Sequence, residues 1–227
     1  MQVLDVCCGT GAAAGAAARR CACVVGVDFS TEMLCVARRQ YGGVAFEFGD
    51  AEALPIRDAH LDAVFSNFGI HHVPRPGKAL REGNRVLRPG GWIGFSIWAP
   101  SIDNVAMNLV HEAISRHGDP SLTTAPPLGD AFTTADDCAS ALRDAGFQDV
   151  QVVIVQKIWR HADARSLVQA LHNGTARTGA RLTAQSAAAV PDIIAGVDAA
   201  AARYRDGDSI AVPMAAIVAR GIKLQAG

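Results

Sequence analysis

Gly9 and Gly11 lie two residues apart, where an apolar run at 3–8 gives way to the helix-forming alanines of 12–18. Glycine at such a turn puts no Cβ between the backbone and a ligand, so a nucleotide can approach to contact distance. Asp28 closes the next apolar run, 24–27, where a carboxylate can accept hydrogen bonds from both ribose hydroxyls. Together they read as a nucleotide-cofactor site. The spacing of Gly9, Gly11 and Ala14 also fits the dinucleotide fingerprint with alanine in third place, which keeps nicotinamide and flavin enzymes open. A bare strand-to-helix turn uses glycine as well. Further along, His71 and His72 are the only paired titratable groups near that site, and imidazole suits general-base work near neutrality.

Alternating strands and helices must position these residues. The run at 3–8 reads as a buried strand, followed by a helix over 11–19 and a strand over 23–28. Ser30 is a natural N-cap, with Glu32 in the first turn of a helix ending near Gly42 and Gly43. Strands are expected over 44–49 and 61–66, a helix from Pro76, a turn over 88–91 and a fifth strand over 92–98. Crossovers of this length demand parallel pairing. The expected fold is α/β: a doubly wound, mostly parallel seven-stranded sheet with a helical cover.

Past residue 100, Ile102, Val105, Ala106, Leu109, Val110, Ala113 and Ile114 mark one apolar helical face. A loop over 119–133 follows, then a helix capped by Thr133 and Asp136 and a strand over 151–159. Helical stretches near 163–172 and 183–204 come next, the second interrupted by Pro191, and a last strand covers 209–221. Pro213 cannot donate to a ladder, so a bulge or an edge is expected there.

The 227 residues suit one domain with a substantial core. Lys and Arg number 21 against 22 Asp and Glu, a net charge of −1, and no basic run exceeds two residues. A small neutral or anionic substrate is expected, and no nucleic acid. The cysteines at 7, 8, 21, 23, 35 and 138 contain no C-x-x-C pair and no zinc-type spacing. They read as reduced thiols, mostly in the core of a cytoplasmic protein, with no metal site. Neither a secretory leader nor membrane insertion is expected, since no apolar run is long enough to cross a bilayer.

Four segments in order resemble the motifs of class I S-adenosylmethionine-dependent methyltransferases, the Rossmann-like group that includes ubiquinone and menaquinone biosynthesis C-methyltransferases. They are VLDVCCGTG at 3–11, VGVDFSTEML at 25–34, FGDAEALP at 48–55 and LRPGGW at 87–92. The resemblance implies S-adenosylmethionine as cofactor, with Gly9 and Gly11 along its methionine and ribose portion and Asp28 on the ribose hydroxyls. It implies Phe29 and Met33 on the adenine faces, Asp50 at the adenine amino group with the Ala51 backbone beside it, and Asp5 orienting the methionine arm. Asn67, just after the fourth strand, joins this cofactor set. Asp50 as a simple turn cap and Met33 as ordinary core stay open. Cys7 stands where the family usually has glycine, and the turn tolerates it if its dihedrals stay in a region open to L-residues.

By the same resemblance, residues 1–100 form the cofactor-binding half of a single domain over 1–227, and 101–135 and 160–205 form the cover and acceptor side. Relatives normally carry an N-terminal helical segment before the first strand, and this sequence starts on that strand. The stretch SNFGIHH at 66–72 is neither the amine-methylating box nor the Pro-Cys nucleophile of nucleic-acid methylases. The function expected is methyl transfer to an oxygen or carbon centre of a small molecule, with His71 or His72 as base. Packing of the histidines beneath a lid is the bland alternative for that pair. Trp98, His111 and His117 stand on or near the cover, the last two expected to face solvent. A non-catalytic or truncated cofactor-binding module and an NAD-type oxidoreductase are the competing functions, and the oligomeric state is not legible.

Overall fold

The computed structural model describes residues 1–20, 23–100, 103–122 and 133–225. The first half alternates except that β4 follows β3 without a helix: β1 (Gln2–Val6), α1 (Ala12–Ala18), β2 (Cys23–Asp28), α2 (Thr31–Gln40), β3 (Ala45–Phe48), β4 (Leu61–Asn67), α3 (Pro76–Val86) and β5 (Leu87–Trp98). α4 (Val105–His117), α5 (Ala135–Asp144), β6 (Phe147–His161), α6 (Ala164–Gly174), α7 (Ala176–Thr183), α8 (Val190–Ala201), β7 (Arg205–Asp206) and β8 (Ser209–Lys223) follow. The sheet order is β3-β2-β1-β4-β5-β8-β6, with β7 pairing β8. Pairings among β1 to β5 are parallel, and β8 runs antiparallel to β5. The doubly wound sheet is as expected, with the two-residue β7 as an eighth strand.

Contacts divide the chain into two compact units. The first comprises Met1–Trp98, Pro127–Ile154 and Ala216–Gly227. Its strands are apolar because both faces are covered, and Leu4, Val6, Val27 and Val64 are all buried. Val3, Ala14, Val24, Leu34, Ala37, Phe46 and Ala63 make one cluster joining α1 and α2 to β1, β2, β3 and β4. Ser30 caps α2 as read, its hydroxyl accepting from the Met33 amide at 3.2 Å. The turn expected at 88–91 lies inside β5, where the register with β4 jumps from Leu61↔Leu87 to Ala63↔Trp92.

The second unit comprises Ala99–Pro126 and Val155–Ala215. Ala106, Leu109, Val110, Ala113 and Ile114 form the buried face of α4 at helical spacing, and α8 packs on α4 with Ile193, Val197 and Ala201 buried.

Several expectations need correction. The cap of α5 is Thr134 with Asp137, one residue later than Thr133 with Asp136, because Asp137 accepts from the Thr134 amide and the Thr134 hydroxyl from the Asp137 amide. Pro191 opens α8 instead of interrupting a helix, which is the position where its missing N–H costs nothing. Cys23 and Cys35 are exposed, whereas Cys8 and Cys138 are buried as expected. His111 is half-buried against Thr178, 3.2 Å from its hydroxyl, and does not face solvent. Burial, then the charge of Arg181, holds its pKa below the usual histidine value. Pro213 falls between the β7 register (Ser209, Ile210) and the β5 register (Ala216–Ile222). Cys21, Ile102 and most of the loop read at 119–133 lie outside the described residues.

Candidate active site

Parallel pairing brings the carboxyl ends of β1, β2, β3 and β4 to one edge of the sheet, where open α/β sheets bind their ligands. β1 ends at Val6, and the chain turns through Cys7, Gly9 and Gly11 at φ of 58°, 53° and 82° into α1. The Gly11 amide donates to the Cys8 carbonyl at 2.9 Å, closing the turn. A Cβ on Gly11 would lie 2.6 Å from Phe46 Cζ and 3.1 Å from Ala37 Cβ, so only glycine fits.

Cys7 departs from expectation. It sits in the left-handed region, which costs an L-residue about 1–2 kcal/mol. A Cβ on Gly69 would collide with Cys7 Cβ, so the glycine at 69 makes room for the cysteine at 7. Burial first, then nearby carboxyl groups led by Asp28, pushes the Cys7 thiol up to about 12, which favours the neutral thiol at neutral pH.

Asp28, at the end of β2, fastens this loop to the next. Its Oδ2 accepts from the Gly9 amide at 2.8 Å and its Oδ1 from the Ser30 amide at 2.9 Å. Each oxygen keeps a further lone pair, so the carboxylate can still receive hydroxyls while its orientation is fixed. Asp5 differs. It is 1% exposed, and neither carboxyl oxygen has a hydrogen-bond partner. Burial pushes its pKa up from 3.8 to about 8; the Ala14 amide offsets part of this, and Asp28 adds to it.

Beside Asp28 lie three solvent-facing apolar side chains: Phe29 at 75% exposure, Met33 at 46% and Phe48 at 62%. Phe48 stands opposite Asp28 in the β2–β3 register and was missed in the sequence, although it opens the FGD run. Asp50 follows β3. Its Oδ1 accepts from the Glu52 amide at 2.8 Å, so the turn-capping role left open for it is present. Ala51 is buried behind it. Glu52, whose side chain is 4% exposed, accepts from the Arg75 amide, Nε and Nη2, each at 2.7 Å. That pairing ties the loop after β3 to the start of α3, and nothing in the local pattern announces it.

At the end of β4, Asn67 Oδ1 accepts from the Ser96 hydroxyl at 2.8 Å, linking β4 to β5. Phe68, at φ 55°, stacks on Trp98 with centroids 4.2 Å apart and an angle of 25°. Buried Ile70 then anchors a single 3-10 turn (Ile70–His72) that carries both histidines, their rings 4.0 Å apart. His71 is half-buried and His72 exposed. His117, also exposed, lies on α4 in the second unit.

These features fit an adenosyl amino acid. Exposed apolar side chains beside a strand-end carboxylate suit a nucleoside, and a buried carboxyl without a partner beneath a glycine loop suits a cationic arm. Among the described residues, no group of three or more His, Cys, Asp or Glu could hold a metal ion. No helix there is long and apolar enough to cross a membrane.

The methyltransferase domain family model matches residues 4–95. A demethylmenaquinone methyltransferase from Clavibacter sepedonicus is 31% identical over 205 residues, covering 82% of this chain and 78% of the relative. A 37.1 kDa protein of transposon TN4556 from Streptomyces fradiae is 31% identical over 190 residues. That match takes in 78% of this chain, which spans about half (52%) of the relative. Among solved structures, phosphoethanolamine N-methyltransferase 2 of Haemonchus contortus, in complex with S-adenosyl-L-methionine, superposes with a TM-score of 0.58 at 20% identity. It covers 99% of this chain and 49% of the other. Nothing in these likenesses supports a nicotinamide enzyme.

Proposed function

Because this chain belongs to the class I S-adenosylmethionine-dependent methyltransferases, we propose that it acts in the cytoplasm and methylates an oxygen or carbon centre of a small molecule, not of a nucleic acid. The observation that carries the reading is the Asp28 carboxylate held by the Gly9 and Ser30 amides, which joins the glycine loop to the adenosine side of the sheet edge. S-adenosylmethionine, when bound, supplies an electrophilic methyl group on a sulfonium.

In this reading the chain mainly binds and orients. Asp28 receives the ribose hydroxyls, and Gly9 and Gly11 let the backbone pass close to the ligand. Phe29 and Met33 flank the adenine, and Asp50 with the Ala51 backbone reads its edge. Asp5 faces the amino-acid arm, and Cys7 shapes the loop around it. Asn67, fixed by Ser96, borders the cofactor at the end of β4. His71 or His72 takes the acceptor's proton, and segments 101–135 and 160–205 set acceptor choice.

Transfer of a labelled methyl group to a panel of hydroxylated and carbon-acid acceptors tests this, with demethylmenaquinone included because the Clavibacter relative is named for it. Label on one acceptor is expected. Replacing the acting histidine by glutamine should then lower turnover by about a hundredfold or more, with cofactor affinity unchanged. Unchanged turnover in both His71→Gln and His72→Gln removes the base and leaves proximity as the mechanism.

A further inference from the structure

Asp5 is a buried carboxyl whose two oxygens make no hydrogen bond, the Ala14 amide being the one group that favours its ionised form. Its strand is flanked by Gly26 of β2 and Phe65 of β4, neither with a polar side chain. α1 consists of alanines and one glycine, with no charge in its first or last turn. The titratable groups whose charges couple to it are Asp28 from β2 and the thiols Cys7 and Cys8 from its own loop, all of which become negative on ionising. A buried carboxylate with no side-chain donor, near a second carboxylate, is disfavoured. A fixed cation brought to the same loop reverses that balance, because it favours the ionised form.

Building on the cofactor reading above, we propose that Asp5 exchanges its proton for the ammonium of the ligand's amino-acid arm. Binding of an adenosyl amino acid then releases about one proton, and an adenosine without the arm releases none. The step is an ionisation only: the carboxylic O–H breaks, the proton passes to buffer, and the carboxylate stays opposite the ammonium. Burial and Asp28 together keep the carboxyl protonated at neutral pH until a cation arrives. Asp5 thereby favours ligands whose arm brings an ammonium to this loop.

The test is calorimetric titration of the full chain with S-adenosylhomocysteine, and separately with 5′-methylthioadenosine, which lacks the arm. Titrations run between about pH 5.5 and pH 7, where the ligand's ammonium stays protonated, in buffers of different ionisation heat. Expected are a homocysteine-ligand affinity that rises nearly tenfold per pH unit with release of about one proton, and a flat profile for the armless ligand. Asp5→Asn should bind S-adenosylhomocysteine more weakly than wild type at pH 7, with a flat profile for both ligands.

A flat profile in the wild type overturns the exchange, as does the same slope in Asp5→Asn or with the armless ligand. The wild-type comparison of the two ligands stands without any variant. Failure of either adenosyl ligand to bind at any pH would overturn the cofactor reading itself, an outcome distinct from binding without pH dependence.

Discussion

At residue 5, a carboxyl whose pKa rises from 3.8 to about 8 on folding binds its proton more tightly in the folded chain than in the unfolded one. The sign follows from linkage: this contribution to stability is present below about pH 4 and is lost as pH rises toward 8. Asp5→Asn cannot ionise, so the ligand-free variant should be more stable than wild type at about pH 8 and nearly equal near pH 4. Thermal unfolding at both values checks it, and parallel behaviour of the two proteins contradicts it. At Gly11 the opposite kind of change is costly. Gly11→Ala adds left-handed strain and a clash with Phe46, a loss of about 2–4 kcal/mol, read from the urea midpoint. An unchanged midpoint would mean that the loop has room the structure does not show. The turn at Gly9 and Gly11 and the strand end at Asp28 were legible because glycines and a carboxylate at that spacing suit a strand-to-helix turn and a strand terminus. Cys7 was not, since its left-handed φ depends on Gly69, a partner remote in sequence.

Among elements, the loop after β3 is held by Arg75 at the entrance to α3 and by Arg85 within it. Arg85 donates to the Leu54 and Ile56 carbonyls and pairs with Glu82 and Asp58. The Glu52–Arg75 pair is asymmetric: the glutamate side chain is 4% exposed and the arginine 67%. Arg75→Ala strands a buried carboxylate with only the residue-75 amide as donor and should cost about 2 kcal/mol. Glu52→Ala releases an arginine already in water and should cost less. Urea titration of both variants decides it, and a larger loss at Glu52 would show that packing holds the loop instead of charge. Strands and helices here were readable from apolar period and capping chemistry, as at Ser30 and Pro76. What slipped was local: Thr133 and Thr134 are both competent caps, and only the reciprocal bond with Asp137 chooses between them.

For the whole molecule, sequence order was enough to predict the parallel sheet, because crossover lengths leave few topologies. It did not give the division into two compact units, which depends on contacts that no motif encodes. If the sheet edge is the cofactor site, a ligand at a hundred times its Kd should stabilise the folded chain by about 2.7 kcal/mol. No rise in Tm at saturating S-adenosylhomocysteine would contradict this. The most direct measurement is calorimetric titration near neutral pH with S-adenosylhomocysteine, using NAD as control and Asp28→Ala as variant. The account predicts that S-adenosylhomocysteine binds, that Asp28→Ala weakens it by about a hundredfold through lost charge-assisted hydrogen bonds, and that NAD does not bind. Binding of NAD, or an Asp28→Ala protein that holds S-adenosylhomocysteine as tightly as wild type, would contradict it.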